Sequence, residues 1–325
     1  MLDIGPVEKG ATPADALRAT RIVAQRAEQL GFSRFWVAEH HNSPSIATAT
    51  PAVILGVLGA STTRIRLGSG GVMLPNHPPL VVAEQFGTLS AYYPGRVDLG
   101  IGRAPGTDPV AALALRRLPA EAFPGELRDL LRFLTGEFPA VRAVPGHGSD
   151  PEVWLLGSGM DSARLAAELG LPYAFAYHIK SPDAVPALAA YRDGFRPSAG
   201  LAKPHTMISV QVICAEDDAR AKWLADPGQL LYLRMRTWPA EPFPSPEDTA
   251  AHAWTAEERG LADQRQAAQA IGGPDTVRDR LAEIIARTEP DELMIVNAVT
   301  DVDERLSSME RVRSMFGSVD GGLLP

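Results

Sequence analysis

Short apolar runs alternate with longer stretches whose apolar residues recur at helical spacing. Leu2 to Val7 is a strand, and Thr12-Pro13 forms a helix entry, with Thr as cap and Pro in the first turn. Ala14 to Leu30 carries Leu17, Ile22, Ala24 and Ala27 near a 3.6-residue period, and Gly31 ends the pattern. The next units are a strand at Arg34 to Ala38, a helix at Pro51 to Thr62, a strand at Ile65 to Val72 and a helix at Leu80 to Tyr92. Pro94-Gly95 then turns the chain into a strand at Arg96 to Ile101. These strands are continuous apolar runs, as expected when helices cover both faces of a parallel sheet.

The second half keeps the rhythm less evenly. Helices are predicted at 126–134, 161–169, 183–195, 219–236, 274–288 and 302–316, and strands at 153–156, 173–176, 206–214 and 292–297. The total is eight strands with intervening helices, which predicts a (β/α)8 TIM barrel with insertions in the βα loops. An open doubly wound sheet is the rival, and it usually has fewer strands. The 325 residues read as one barrel domain, 1–325, with a Pro- and acid-rich insertion at Trp238 to Ala251.

Composition then narrows the function. Apolar residues make 45% and charged ones 22%, enough for a large core. A net charge of -8 and a pI near 5.4 give no electrostatic reason for nucleic acid or an anionic membrane as partner. No apolar run has the length of a membrane span, and MLDIGPVEKG lacks the pattern of a secretory signal. The one cysteine, Cys214, cannot form an internal disulfide. The expectation is a soluble cytoplasmic protein. Its 29 glycines and 28 prolines exceed ordinary usage and fall as punctuation between elements.

In a TIM barrel the site lies where strands end and βα loops begin. Those positions hold Glu39-His40-His41-Asn42, Gly70-Gly71, Gly102-Arg103, Gly157-Ser158-Gly159 with Ser162, Tyr177-His178 and Asn297. Free N–H groups at a helix start beside Ser158, Gly159 and Ser162 suit an anion, and Arg103 suits a phosphate. The alternative is that the serines only cap the helix and Arg103 is a surface charge. Neighbours on an extended segment point in opposite directions, so Glu39, His40 and His41 do not converge on one ion, and no metal is expected. His40 is instead a candidate acid/base, against a purely structural histidine. Glycines at the end of the third strand mark either a bulge or a ligand's close approach. No Walker loop, dinucleotide fingerprint or hydrolase elbow is present.

The segments FWVAEHHN (Phe35 to Asn42), IRLGSGGVMLPNHPPLVVAEQFGTL (Ile65 to Leu89), PGRVDLGIGRAPGTD (Pro94 to Asp108) and WLLGSGMDSARLAAELGLPYAFA (Trp154 to Ala176) together carry a resemblance. The chain resembles the bacterial luciferase-like family of flavin-dependent oxidoreductases. The resemblance implies a barrel that binds FMN as FMNH2, with phosphate contacts at Arg103, Ser158, Gly159 and Ser162. It places a non-proline cis peptide at Gly70-Gly71 beneath the flavin ring and the catalytic histidine at His40, paired with Glu39. Gly102 stands where light-emitting members carry a reactive cysteine, which argues against light emission. His178 and Tyr177 are candidate flavin-edge or substrate contacts, and Trp36, Val72 and Met73 are candidate pocket residues.

The implied reaction is monooxygenation of a small organic substrate with O2, the FMNH2 arriving from a separate flavin reductase. Hydride transfer with F420 and a non-catalytic flavin-binding protein are the alternatives. The Glu39-His40 pair and the full glycine set weigh against the last. A homodimer is also implied, with Pro51 to Thr62 and Val81 to Tyr92 as candidate contacts. Substrate choice rests with Gly102 to Asp150 and Trp238 to Ala270, which carry no motif.

Overall fold

The computed structural model describes residues 1–234 and 241–316. Ten parallel strands run β1 (Leu2–Asp3), β2 (Arg34–Val37), β3 (Arg66–Ser69), β4 (Val72–Met73), β5 (Val97–Gly102), β6 (Glu152–Gly157), β7 (Tyr173–Phe175), β8 (Thr206–Cys214), β9 (Ala270–Gly272) and β10 (Glu292–Val296). Neighbours follow the order β10-β1-β2-β3-β5-β6-β7-β8, and β8 pairs again with β10, which closes an eight-stranded barrel. β4 adds to the end of β5, and β9 to the far half of β8. The predicted (β/α)8 barrel is the observed fold.

Helices fill the connections: α1 (Pro13–Gln29), α2 (Pro51–Ser61), α3 (Pro79–Tyr92), α4 (Pro109–Ala114), α5 (Phe123–Thr135), α6 (Met160–Leu169) and α7 (Tyr177–Lys180). They continue as α8 (Ala184–Gly194), α9 (Asp218–Arg234), α10 (Pro246–Ala250), α11 (Ala256–Ala267), α12 (Pro274–Thr288) and α13 (Val302–Met315). In α1 the Thr12 hydroxyl accepts from the Asp15 N–H while the Asp15 carboxylate accepts from the Thr12 N–H, a capping box. Its Ala16, Ala19, Thr20, Val23, Ala24 and Ala27 recur at helical spacing and are buried. Trp238, where the predicted insertion begins, and Arg236, the predicted end of α9, lie outside the described residues.

Strand alternation separates two cores. Phe35, Val37, Leu67, Leu99, Ile101 and Ile208 point outward into the helices. Leu2, Trp36, Trp154, Met207, Met294 and Val296 point inward and fill the barrel, Trp36 and Trp154 edge to face at 5.7 Å. Below them, buried Asp98 accepts from Trp36 Nε1 at 2.8 Å, Arg34 Nη1 at 2.9 Å and Arg66 Nη2 at 2.6 Å. Glu152 and Glu292 bind the same Arg34. The N-terminal end is thus plugged, and the C-terminal end carries the loops.

Three predicted elements are corrected. The strand expected at Leu2 to Val7 stops at Asp3, because Gly5 adopts a positive φ of 57° and Pro6 brings no N–H. The strand expected at Ile65 to Val72 breaks into β3 and β4 around Gly70-Gly71, a cis peptide. Within Trp238 to Ala270, expected as loop, residues 246–250 and 256–267 form α10 and α11, each started by a capping hydroxyl, Ser245 and Thr255.

Candidate active site

β2 delivers three polar residues in succession to the barrel mouth. Glu39 is buried, and its Oε1 accepts from His41 Nε2 at 3.0 Å, His77 Nε2 at 2.9 Å and Asn76 Nδ2 at 3.0 Å. Its Oε2 accepts from the Met73 N–H at 3.1 Å. Burial pushes this carboxyl up, but the His77 hydrogen bond and charge, with His41 and Asn76, outweigh it and hold Glu39 below its usual range. An ionised carboxylate therefore ties the end of β2 to the segment that follows the cis Gly70-Gly71 peptide.

The cluster leaves His40 apart, as expected, and adds a residue that local spacing did not reach. Residues i and i+2 share a side, so Glu39 and His41 converge, and His77 joins them from the loop after β4. Ligand atoms of the three lie within 4.8 Å of one another, a group that could hold a metal ion. The tertiary position of His77 is what the local spacing could not reveal.

His40 lies on the other side of the strand end. Its backbone N–H donates to the Thr48 carbonyl at 2.9 Å, while the ring Nδ1 is buried without a hydrogen-bond partner among the described residues. Burial lowers its proton affinity more than the Glu39 charge raises it, so the ring is neutral near pH 7. Glu39 and His40 are adjacent in sequence, yet no hydrogen bond joins them.

His178, on α7, bonds through Nδ1 to the Ser209 carbonyl at 3.1 Å and the Ser209 hydroxyl at 2.9 Å. A carbonyl only accepts, so Nδ1 carries the proton and Nε2 keeps its lone pair. Burial lowers its pKa to about 4, helped by the positive charge of Arg265 and by His40. His40, His178 and Arg265 therefore share one electrostatic region.

The glycines divide into two kinds. A Cβ on Gly70 would come 2.5 Å from Leu2 Cδ1, and one on Gly71 2.9 Å from the Gly100 carbonyl oxygen, so close strand packing already requires both. At Gly102 the obstacle is only the end of the Met73 side chain, 2.9 Å away. Of the candidate pocket residues, Trp36 sits in the inner core and Val72 in the outer one, which leaves Met73 at the mouth.

The residues expected to hold an anion follow β5 and β6, whose ends are adjacent through Ile101 and Leu155. Gly159 is the N-cap of α6, and no side chain caps the helix. Neither serine is therefore a cap. Ser162 Oγ donates to the Gly159 carbonyl at 2.8 Å and lies 3.0 Å from the Tyr173 hydroxyl, so its proton is already used. Among the described residues Ser158 makes no side-chain hydrogen bond, and a Cβ on Gly159 would meet nothing within 4 Å, so the first turn has room beside it.

Arg103 is exposed at the end of β5. Arg117, from the loop after α4, donates to the Arg103 carbonyl at 2.7 Å and to Asn76 Oδ1 at 3.3 Å. Burial and the Arg103 charge lower its proton affinity. No carboxylate among the described residues pairs with either guanidinium. Sequence reading missed Arg117, which lies in a stretch without a motif.

The sequence profile of the luciferase-like monooxygenase family matches residues 4–291. A luciferase-like monooxygenase of Escherichia coli strain K12 is 41% identical over 315 residues, covering 95% of this chain and 94% of that protein. An N-acetyl-S-alkylcysteine monooxygenase of Bacillus subtilis strain 168 is 44% identical over 194 residues, covering 57% of this chain and 58% of its own. Among solved structures, apo-MsnO8 aligns with a TM-score of 0.87 and 33% identity over 97% of both chains. The oxygenating constituent of 3,6-diketocamphane monooxygenase, solved with FMN, aligns at 0.71 with 18% identity, over 100% of this chain and 99% of its own. An F420-dependent secondary alcohol dehydrogenase aligns at 0.68 with 16% identity, over 93% of this chain and 94% of its own. These two share the fold.

Proposed function

The chain belongs to the luciferase-like monooxygenase family, and from that premise we propose that it is an FMN-dependent monooxygenase. Two observations support the reading: Arg103 and Arg117, guanidiniums with no carboxylate partner among the described residues, together with the first turn of α6, which has no side-chain cap and carries Asp161, and an imidazole after β2 whose Nδ1 has no hydrogen-bond partner among the described residues. The first suits a phosphate, and the second suits proton transfer beside a planar ring.

Reduced FMN, when bound, supplies two electrons to O2, so that one oxygen enters the substrate and the other leaves as water. Arg103 and Arg117 would hold the phosphate, with the α6 N–H groups and Ser158. Gly102 and Met73, which pack together at the mouth, would border the flavin. His40 is the group that would accept or return a proton, and the plugged barrel floor keeps water out from below. Glu39 acts as the anchor for His41, Asn76, His77 and Met73 rather than as the acid/base. A separate reductase supplies the FMNH2.

Val53 and Val57 on α2 and Tyr92 on α3 are exposed at 67%, 56% and 75%, which supports these helices as a homodimer face. The F420 reading stays second, because the same phosphate site serves a deazaflavin and a fold neighbour uses one.

The test titrates FMN and F420 by fluorescence. It then supplies FMNH2 under 18O2 with a thioether substrate such as N-acetyl-S-methylcysteine. Preferential FMN binding and 18O in the product are expected. Binding of F420 alone would transfer the protein to the hydride-transfer class.

A further inference from the structure

A chain of amides at the barrel mouth has no part in the site above. On β8, Ile208, Val210 and Val212 pack outward, so Ser209 and Gln211 face the barrel interior. Ser209 holds His178, and Gln211 lies one pleat closer to the mouth. Arg265, on α11, donates from Nη1 to Gln229 Oε1 at 2.8 Å. Gln229 Nε2 donates to Gln269 Oε1 at 3.1 Å, and Gln269 Nε2 reaches Gln211 Oε1 at 3.5 Å. All three glutamines are buried.

The order of donors follows from chemistry. A guanidinium has no acceptor, so Gln229 must turn its oxygen to Arg265, and each amide then turns its N–H toward the next oxygen. The chain ends at Gln211 Nε2, which meets no acceptor among the described residues. At its other end Arg265 lies 4.4 Å over the Tyr232 ring, and no described carboxylate pairs with it. A half-buried cation without a counter-charge, coupled to a polarised chain that ends in a free donor, is complementary to an anion. The Arg265 charge also acts on His178 and so on the region of His40.

We propose that Arg265 and the Gln229–Gln269–Gln211 chain form a carboxylate subsite, and that the substrates are small organic acids held by that group with the oxidised atom toward His40. The proposal rests on the monooxygenase reading for its site and adds the substrate class.

The test is calorimetric binding of N-acetyl-S-methylcysteine, N-acetyl-S-benzylcysteine and phenylacetate, each against its neutral carboxamide, to the wild type, R265Q and R265K. Titrations are run with FMN present and with FMN absent. A charge-assisted contact predicts that the wild type prefers at least one acid over its amide by about ten- to a hundredfold. R265Q should erase that preference, and R265K should keep part of it, with melting temperatures confirming that both variants fold. The proposal is overturned if no acid of the panel binds the wild type better than its amide, or if R265Q keeps the preference. Failure of FMN to bind would refute the flavin reading separately, because the FMN-free titrations still report on Arg265.

Discussion

Replacing Arg103 with alanine should cost affinity for FMN and leave riboflavin, which lacks the phosphate, nearly unaffected. Arg103 has no acidic partner to lose, so its removal leaves no unpaired buried charge. The loss is one charge-assisted contact of about 1.5–3 kcal/mol, toward the lower end because the side chain is exposed. The α6 N-terminus contributes a further 0.3–1 kcal/mol or so and survives the substitution. About 2 kcal/mol corresponds to roughly a thirtyfold rise in the FMN dissociation constant. Quenching of flavin fluorescence measures it, with FMN and riboflavin titrated against wild type, R103A, R117A and H40A. R117A should move FMN in the same direction, since Arg117 holds the Arg103 carbonyl. H40A should leave FMN within about threefold, because a neutral imidazole offers the phosphate no charge. Raising salt should shrink the wild-type preference for FMN over riboflavin. Equal weakening of FMN and riboflavin by R103A would refute the assignment, as would equal losses in R103A and H40A.

Three further outcomes follow from the same geometry. Glu39→Gln puts an N–H2 group against donors that all face a carboxylate, so urea unfolding should show a loss of about 2–4 kcal/mol. A loss below about 1 kcal/mol would mean that the donors find other acceptors. His178 titrates near pH 4 in the fold and near 6.5 unfolded, so the unfolded chain binds more protons between those values. Stability is therefore fullest above pH 6.5 and falls as the pH drops toward 4, by up to about 3 kcal/mol. His178→Gln should remove that slope from the urea midpoints, and parallel wild-type and variant curves would contradict it. Gly100→Ala would bring a Cβ within 2.0 Å of the Ser69 carbonyl oxygen, whereas Gly159→Ala meets nothing within 4 Å. The first should lower the melting temperature sharply, and the second should leave it unchanged while weakening FMN binding.

The barrel was legible because its strands are buried on both faces and its helices start at Thr12-Pro13, Pro51, Pro79 and Pro274. β8 and α12 match their predicted limits. What escaped was short or set by tertiary contacts. β9 has three residues and no period to detect. The cis peptide at Gly70-Gly71 is expected from the resemblance, but its splitting of the predicted strand into β3 and β4 is not. Arg117 and the glutamines at 211, 229 and 269 belong to separate elements, and only the closed barrel brings each to the mouth.

The Glu39-His40 pair shows most clearly where sequence reasoning stops. Alternation along an extended strand end correctly sets His40 apart from Glu39 and His41, but it cannot say which side holds the proton chemistry. We propose the division of roles from the partners that each residue has. A carboxylate that accepts from His41, His77, Asn76 and the Met73 N–H has no lone pair poorly served, and its proton affinity is lowered accordingly. The His40 imidazole, whose buried Nδ1 meets no donor and no acceptor among the described residues, has its proton affinity lowered by burial, which on the proposed reading suits it to exchange a proton. Two adjacent residues thus meet opposite needs: the first fixes the loops that carry Met73 and His77, and the second stays unsatisfied. A single strand end can supply both because consecutive side chains leave it on opposite sides. Exchanging the two residue types would leave the loops unheld and place a charged carboxylate in the poorly solvated position His40 now occupies neutral.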